Sequence, residues 1–243
     1  MLDPQPILLV TAVSVALLHT LVGPDHYLPF IVLARAEGWP MRKTMIWTGL
    51  CGLGHVLSSI LIGSLAALLG WAVSSVQRFE GIRGHIAGLA LIGFGVVYFA
   101  WGLWRGRRGH SHQHLHADGS VHVHPHHHHD EVAPNHARTP HDENAHLARH
   151  RRTVWTLFII FALGPCEPLI PLLLAPASRH DLAGVIMVAI AFSAVTILTM
   201  MTVVAVGTAG VRLVRFDWME RYVHALAGFT ILASGLAIRY LGL

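Results

Sequence analysis

The fold class predicted for these 243 residues is an all-α polytopic membrane protein: six transmembrane helices in two inverted three-helix repeats, the first and fourth helices broken at Gly-Pro. Three observations predict it. Hydrophobic residues make up 53% of the chain and charged residues only 12%, with a mean hydropathy of +0.54, whereas an ordinary soluble domain carries about 25% charged residues. Six stretches reach the roughly 20 apolar residues that a bilayer core about 30 Å thick requires. The two halves also resemble each other when one is shifted by about 140 positions, as expected of an internally repeated transporter fold.

In chain order the apolar stretches fall at roughly 6–34, 44–72, 84–104, 153–177, 182–211 and 221–241. The first is not expected to be a cleaved signal peptide, since Met1-Leu2-Asp3-Pro4-Gln5-Pro6 carries no Lys or Arg and no small-residue cleavage pattern follows. The domain division is therefore 1–104 for the first repeat, 105–152 for a connecting loop and 153–243 for the second repeat. Lys and Arg divide 13 against 4 between the two sets of connections, which puts the long loop in the cytoplasm and both termini outside. The expected location is a bacterial cytoplasmic (inner) membrane.

The repeat aligns Gly23-Pro24-Asp25-His26-Tyr27-Leu28 with Gly164-Pro165-Cys166-Glu167-Pro168-Leu169, and Ala87-Gly88, Gly95 and Gly102-Leu103 with Ala227-Gly228, Gly235 and Gly242-Leu243. Three spans per repeat is an odd number, so the halves enter the membrane with opposite orientation. Inverted-repeat transporters place their sites near the midplane, where helices are broken.

The candidate chemistry gathers at those breaks. Pro24 has no backbone N–H and obstructs the carbonyl of Thr20, so the first helix should unwind beside Asp25 and His26, with His19 a little earlier. An ionised carboxylate at membrane depth needs a partner, and carboxylate with imidazole is a ligand set suited to Ni, Co, Zn or Mn. In the second span His55 sits in Gly52-Leu53-Gly54-His55, where small residues allow close helix approach. Cys51 lies one turn earlier on the same face. The second break presents Cys166 and Glu167 in the positions of Asp25 and His26; a Cys166 thiolate would favour softer metals. Glu167 is read as the only other acidic residue well inside a span. Ser193, Thr196, Thr199, Met200 and Met201 occupy the region equivalent to His55.

Of the 20 histidines, 14 lie between His110 and His150. His110, His112, His114, His116, His122, His124, His126, His127, His128 and His129 cannot build a packed core but can collect transition metals through many interchangeable geometries. The segment is expected to be disordered without metal.

The pattern of His19, Asp25-His26, Leu53-Gly54-His55 and a histidine-rich loop between the halves resembles the nickel/cobalt transporter family, most closely its nickel and cobalt efflux branch. That resemblance implies metal permeation through a site built by the first two helices, with His19, Asp25, His26 and His55 as metal-site residues. One departure concerns His19: the uptake family has four residues between its first histidine and the Asp-His pair, whereas five stand here. An added helical residue turns a side chain by about 100°.

On this reading the protein is a transporter rather than an enzyme, exporting Ni or Co, with Zn a further candidate, and holding no permanent cofactor. The metal would be captured by the loop, pass to Asp25, His26 and His55 with Glu167 opposite, and leave outward, proton exchange supplying the energy because imidazole and carboxylate bind metal only when deprotonated. The partners expected are a divalent metal ion and the lipid bilayer, with room for a homo-oligomer; no nucleic acid is implied. Two alternatives stand beside it. Gly164-Pro165-Cys166 resembles the broken helices of membrane thiol-redox conduits of the cytochrome c maturation type, which would use Cys51 and Cys166. A sulfite or organic-anion exporter of similar topology would use the half-helix N-termini to hold anions.

Overall fold

The computed structural model describes residues 4–70, 72–107, 111–115, 121–125, 153–164, 166–213 and 222–241. The helices are α1 (Pro4–Val22), α2 (Leu28–Ala36), α3 (Met41–Leu68), α4 (Val73–Arg107), α5 (Thr153–Leu163), α6 (Leu169–Ala177), α7 (Leu182–Leu213) and α8 (Val223–Leu241). Among the described residues five of them, α1, α3, α4, α7 and α8, are long and apolar enough to cross a membrane. Their outward faces are apolar: Val10, Leu61, Val97, Ile190, Leu198 and Val206 are each more than 60% exposed. Apolar surface on this scale suits lipid and not water. The chain is a multi-pass membrane protein.

The expected single spans over 6–34 and 153–177 are each two helices. α1 and α2 are separated by Gly23–Tyr27, and α5 and α6 by the stretch from Gly164 to Pro168; Pro165 lies outside the described residues. The boundaries Val22, Leu28 and Ala36 recur as Leu163, Leu169 and Ala177, 141 positions on in each case. α2 and α3 both end on a glycine with positive φ, Gly38 (62°) and Gly70 (63°), where a Cβ would be strained.

α4 begins eleven residues earlier than the apolar stretch at 84–104 suggests, at Val73. The polar run that includes Glu80 and Arg83 is therefore helix and not connection. The histidine-rich segment also departs from expectation. β1 (Ser111–Leu115) and β2 (Val121–Pro125) pair antiparallel, with His112 opposite His124 and His114 opposite His122. Histidine at every second position gives the strand period, and Asp118-Gly119 in the sequence is a hairpin-turn dipeptide. His110, His116, His126, His127, His128 and His129 lie outside the described residues.

Among the described residues three packing clusters hold the helices together, the smallest of them Ala66 of α3, Val76 of α4 and Ile170 of α6. One gathers Phe30 and Leu33 of α2, Cys51 of α3, Leu157 and Phe161 of α5, Met200 of α7 and Ile231 of α8. Another gathers Ala12 and Ala16 of α1, Val56 of α3, Cys166, Leu169 of α6 and Phe192 of α7. α1 lies along α7, and α4 lies along α8 in the most extensive interface among the described helices. Glycines carry that last interface: Gly95 faces the backbone of Leu232, Gly102 that of Ala225, Gly228 that of Phe99, and Gly235 the Ile92 side chain.

Candidate functional site at the two helix breaks

At the first break Gly23 is extended (φ −79°, ψ 98°), and Pro24–His26 forms one 3-10 turn before α2 begins. Gly23 N donates to His19 O at 3.0 Å and His26 N to Gly23 O at 3.2 Å. The Tyr27 hydroxyl reaches back to Leu21 O. A Cβ on Gly23 would stand 2.5 Å from His26 Nδ1 and 2.9 Å from Asp25 Oδ1. Gly23→Ala should accordingly destabilise the fold by about 1–3 kcal/mol, the ordinary cost of overpacking. Thermal unfolding in detergent measures it, and a melting temperature equal to wild type would mean that the turn relaxes freely.

The turn brings three histidines together. The rings of His19 and His26 meet edge to face with centroids 4.8 Å apart, and those of His26 and His55 likewise at 5.1 Å. One ring nitrogen from each of the three lies within 4.8 Å of the others. His26 Nδ1 lies 3.1 Å from Asp25 Oδ1 and 3.2 Å from Gly23 O, and His55 Nδ1 lies 3.3 Å from Phe161 O. Carbonyl oxygens can only accept, so both Nδ1 atoms carry the proton and donate. The Nε2 atoms of His19, His26 and His55 are buried without a hydrogen-bond partner. An unsatisfied buried polar atom costs about 1–3 kcal/mol, and three at one point are expensive. His55 is the fifteenth of the 28 residues of α3, midway along it.

At the second break α5 ends at Leu163, and Gly164 N donates to both Ile160 O and Phe161 O at 3.0 Å. Gly164 lies directly against His55: an added Cβ would stand 3.3 Å from His55 Nδ1. Cys166 is fully buried, and its N–H donates to Ser59 Oγ at 3.1 Å. The two breaks thus meet on one turn of α3, between His55 and Ser59. A cavity of about 40 Å³ borders Asp25, His55, Gly164 and Gly88.

The carbonyls freed where α5 ends are met by Arg83 of α4. Its Nη2 donates to Ala162 O at 3.2 Å, Gly164 O at 3.4 Å and Ser58 Oγ at 2.9 Å, while its Nη1 is paired with Glu80 Oε1. A cation at a helix C-terminus is favoured by the helix dipole. Glu80 is completely buried, with Oε2 unpartnered. Sequence reasoning missed both residues by placing them outside the third span. The available signal was their i,i+3 spacing, which puts opposite charges on one helix face.

The remaining predicted positions are distributed as follows. Glu167 is exposed, and Glu80 is the acidic side chain buried at the second break. Cys51 and Cys166 are both free and buried, but in separate packing clusters. Thr196, 141 positions after His55, is buried with Oγ1 unpartnered. His112, His114, His122 and His124 lie on the hairpin strands.

Half-helices that meet at a polar centre midway along a third helix define a multi-pass helical membrane protein built around paired helix breaks. The chain belongs to the family described as cytochrome c biogenesis protein transmembrane region, which matches residues 30–237. No curated protein and no solved structure matches it.

This corrects the resemblance to the nickel/cobalt transporters, and with it the conclusion that the chain exports nickel or cobalt. That resemblance rested on short histidine motifs at the first break and on the loop. The family match runs from α2 to α8 and points to thiol redox chemistry, the alternative that Gly164-Pro165-Cys166 suggested.

Proposed function

We propose that the protein is a membrane thiol-redox conduit in which Cys166 is the exchanging thiol and Cys51 its resolving partner. The observation that carries this reading is the family match together with the place of Cys166, on the non-helical stretch of the second break, at the protein's centre. In the forward step the Cys166 thiolate attacks the disulfide of an extracytoplasmic partner. One new S–S bond forms, and the first partner sulfur leaves and takes up a proton. The Cys51 thiolate then displaces the second partner sulfur, leaving a Cys51–Cys166 disulfide and a partner reduced by two electrons and two protons. A cytoplasmic dithiol restores the pair by the reverse exchange. This chemistry calls for no resident cofactor.

The reduced pair stands apart. Cys166 is anchored at Ser59, eight residues and so about 12 Å along α3 from Cys51, whereas a disulfide needs Cα atoms closer than about 7 Å. Pairing therefore requires the second break to slide along α3, with the Cys166 N–H giving up its bond to Ser59 Oγ.

The architecture we propose has six crossings, with α5 and α6 together forming one, in two inverted repeats. The contacts of α4 with α8 support it. Gly95 meets Leu232 and Gly235 meets Ile92, and Gly228 meets Tyr98 while Gly88 meets Ile238. A shift of 140 positions exchanges the members of each couple, the pattern produced by a twofold axis between antiparallel helices. The excess of Lys and Arg on one side supports the rest of the proposed topology, with the hairpin segment in the cytoplasm and the termini outside a bacterial inner membrane.

Thiol trapping in intact cells tests the function. With an alkylating probe that adds mass per free thiol, wild type should show an oxidised fraction that a reductant removes. Cys166→Ser should abolish it, and Cys51→Ala should accumulate a mixed disulfide through Cys166. Both thiols fully reduced under oxidant, with no mixed disulfide in Cys51→Ala, would refute the reading.

A further inference from the structure

We propose that His19, His26 and His55 form a binding site for one transition-metal ion of the zinc(II) type at the first helix break, distinct from the thiol chemistry and independent of it. The proposal concerns a held ion, not a transported one. Its basis is the imidazole nitrogens that the hydrogen bonds leave without a partner. His26 and His55 use Nδ1–H on oxygen acceptors, namely Asp25 and Gly23 for the one and Phe161 for the other. Their Nε2 atoms are consequently unprotonated acceptors, and these, like that of His19, are buried without a partner. The two acceptors of His26 and His55 cannot satisfy each other. A cation can satisfy all three at once, and ring nitrogens already within 4.8 Å of one another need little movement to reach the roughly 2.0–2.1 Å of a zinc–imidazole bond.

The surroundings suit an ion as well. A carboxylate that accepts the second ring N–H of a histidine fixes its tautomer and raises its basicity, the usual outer partner of a metal-binding imidazole. Asp25 does this for His26. A carbonyl does the same for His55. Three neutral imidazoles favour zinc, copper, iron or nickel over calcium or magnesium. The small cavity beside Asp25 and His55 has room for water. Three protein ligands with an open fourth position follow the catalytic zinc pattern and not the closed structural one.

The full chain purified in detergent, stripped of metal and titrated with Zn(II) and with Co(II), tests this. Because the loop histidines also bind metal, the reference is a full-length variant with the 14 histidines from His110 to His150 replaced by serine. That protein should retain about one equivalent of Zn(II), and its Co(II) form should show the intense visible bands of a four-coordinate site. His26→Ala and His55→Ala in the same background should lose both. Asp25→Asn should keep the stoichiometry but weaken binding by about 10–100-fold, as expected for an outer partner. His19→Ala, at the more open edge of the cluster, serves if either inner variant fails to elute as a folded protein. No bound equivalent in the reference protein, or an unchanged equivalent and spectrum in the alanine variants, would overturn the proposal. Cys166→Ser should leave the zinc result untouched, so failure here and failure of the thiol reading are separable.

Discussion

Replacing Arg83 with leucine is expected to destabilise the protein by about 3–5 kcal/mol, the cost of stranding one member of a buried ion pair. Glu80 is fully buried, and its only hydrogen bond from a side chain among the described residues comes from Arg83. The same guanidinium satisfies Ala162 O and Gly164 O where α5 stops, and Ser58 Oγ across on α3. Four acceptors, three on separate helices and one at the second break, lose this donor in one substitution. Arg83→Lys should recover only part of this, because an ammonium is a point donor and cannot span the fork of positions that a guanidinium reaches. Glu80→Gln should cost less than Arg83→Leu, since the cation keeps its carbonyl partners. The double variant should fall short of the summed losses by about 0.5–3 kcal/mol, the range for residues in direct contact. Unfolding of the purified variants in detergent measures all four. Strict additivity, or Arg83→Leu as stable as wild type, would show that the pair does not brace the second break.

That brace was the part of the site least legible in the sequence, for a physical reason. Window hydropathy finds where a helix is apolar, not where it starts, and α4 runs through a polar stretch because its charges neutralise each other on an inward face. The breaks were easier to read. Pro24 cannot donate an N–H and Gly23 tolerates the crowding of His26, so the unwinding at Asp25 and His26 follows from covalent structure alone. The membrane class was equally plain from composition. The nickel/cobalt assignment failed because three histidines and an aspartate over some 37 positions say which side chains could meet, but not which lineage the surrounding helices belong to. The hairpin was missed because histidine carries little strand preference, and its period-2 spacing was read as metal-collecting composition.

The two breaks differ in what holds them. The first is held locally, by a turn whose hydrogen bonds run between near neighbours, from His19 to Tyr27. The second is held from outside, by Ser59 on Cys166 and by Arg83 on the end of α5. A thiol that has to move is better placed in the second. Its restraints are side chains that can change partners, whereas moving the first would mean rebuilding the backbone turn that presents His26.

Gly228→Val should prevent the two halves from docking, at a cost above about 3 kcal/mol and visible as loss of the monodisperse folded protein. A Cβ at Gly228 would overlap the backbone of Phe99, and one at Gly95 would stand 2.5 Å from Leu232 N. Overpacking against a side chain costs about 1–3 kcal/mol because the side chain can turn away. Backbone cannot, so the whole α4–α8 contact must open. Gly95→Val is expected to match Gly228→Val. Gly93→Ala and Gly81→Ala are the controls: nothing lies within 4 Å of a Cβ at either position, and exchanging glycine for alanine inside a helix should gain about 0.5–1 kcal/mol. The proposed repeat adds a sharper contrast. Gly88 is the counterpart of Gly228, yet an added Cβ there would sit 3.9 Å from the Ile238 side chain, at ordinary contact distance. Gly88→Ala should therefore be tolerated and Gly228→Ala should not. Equal tolerance of the two would mean that α4 and α8 are not held in the close crossing through which the proposed halves join.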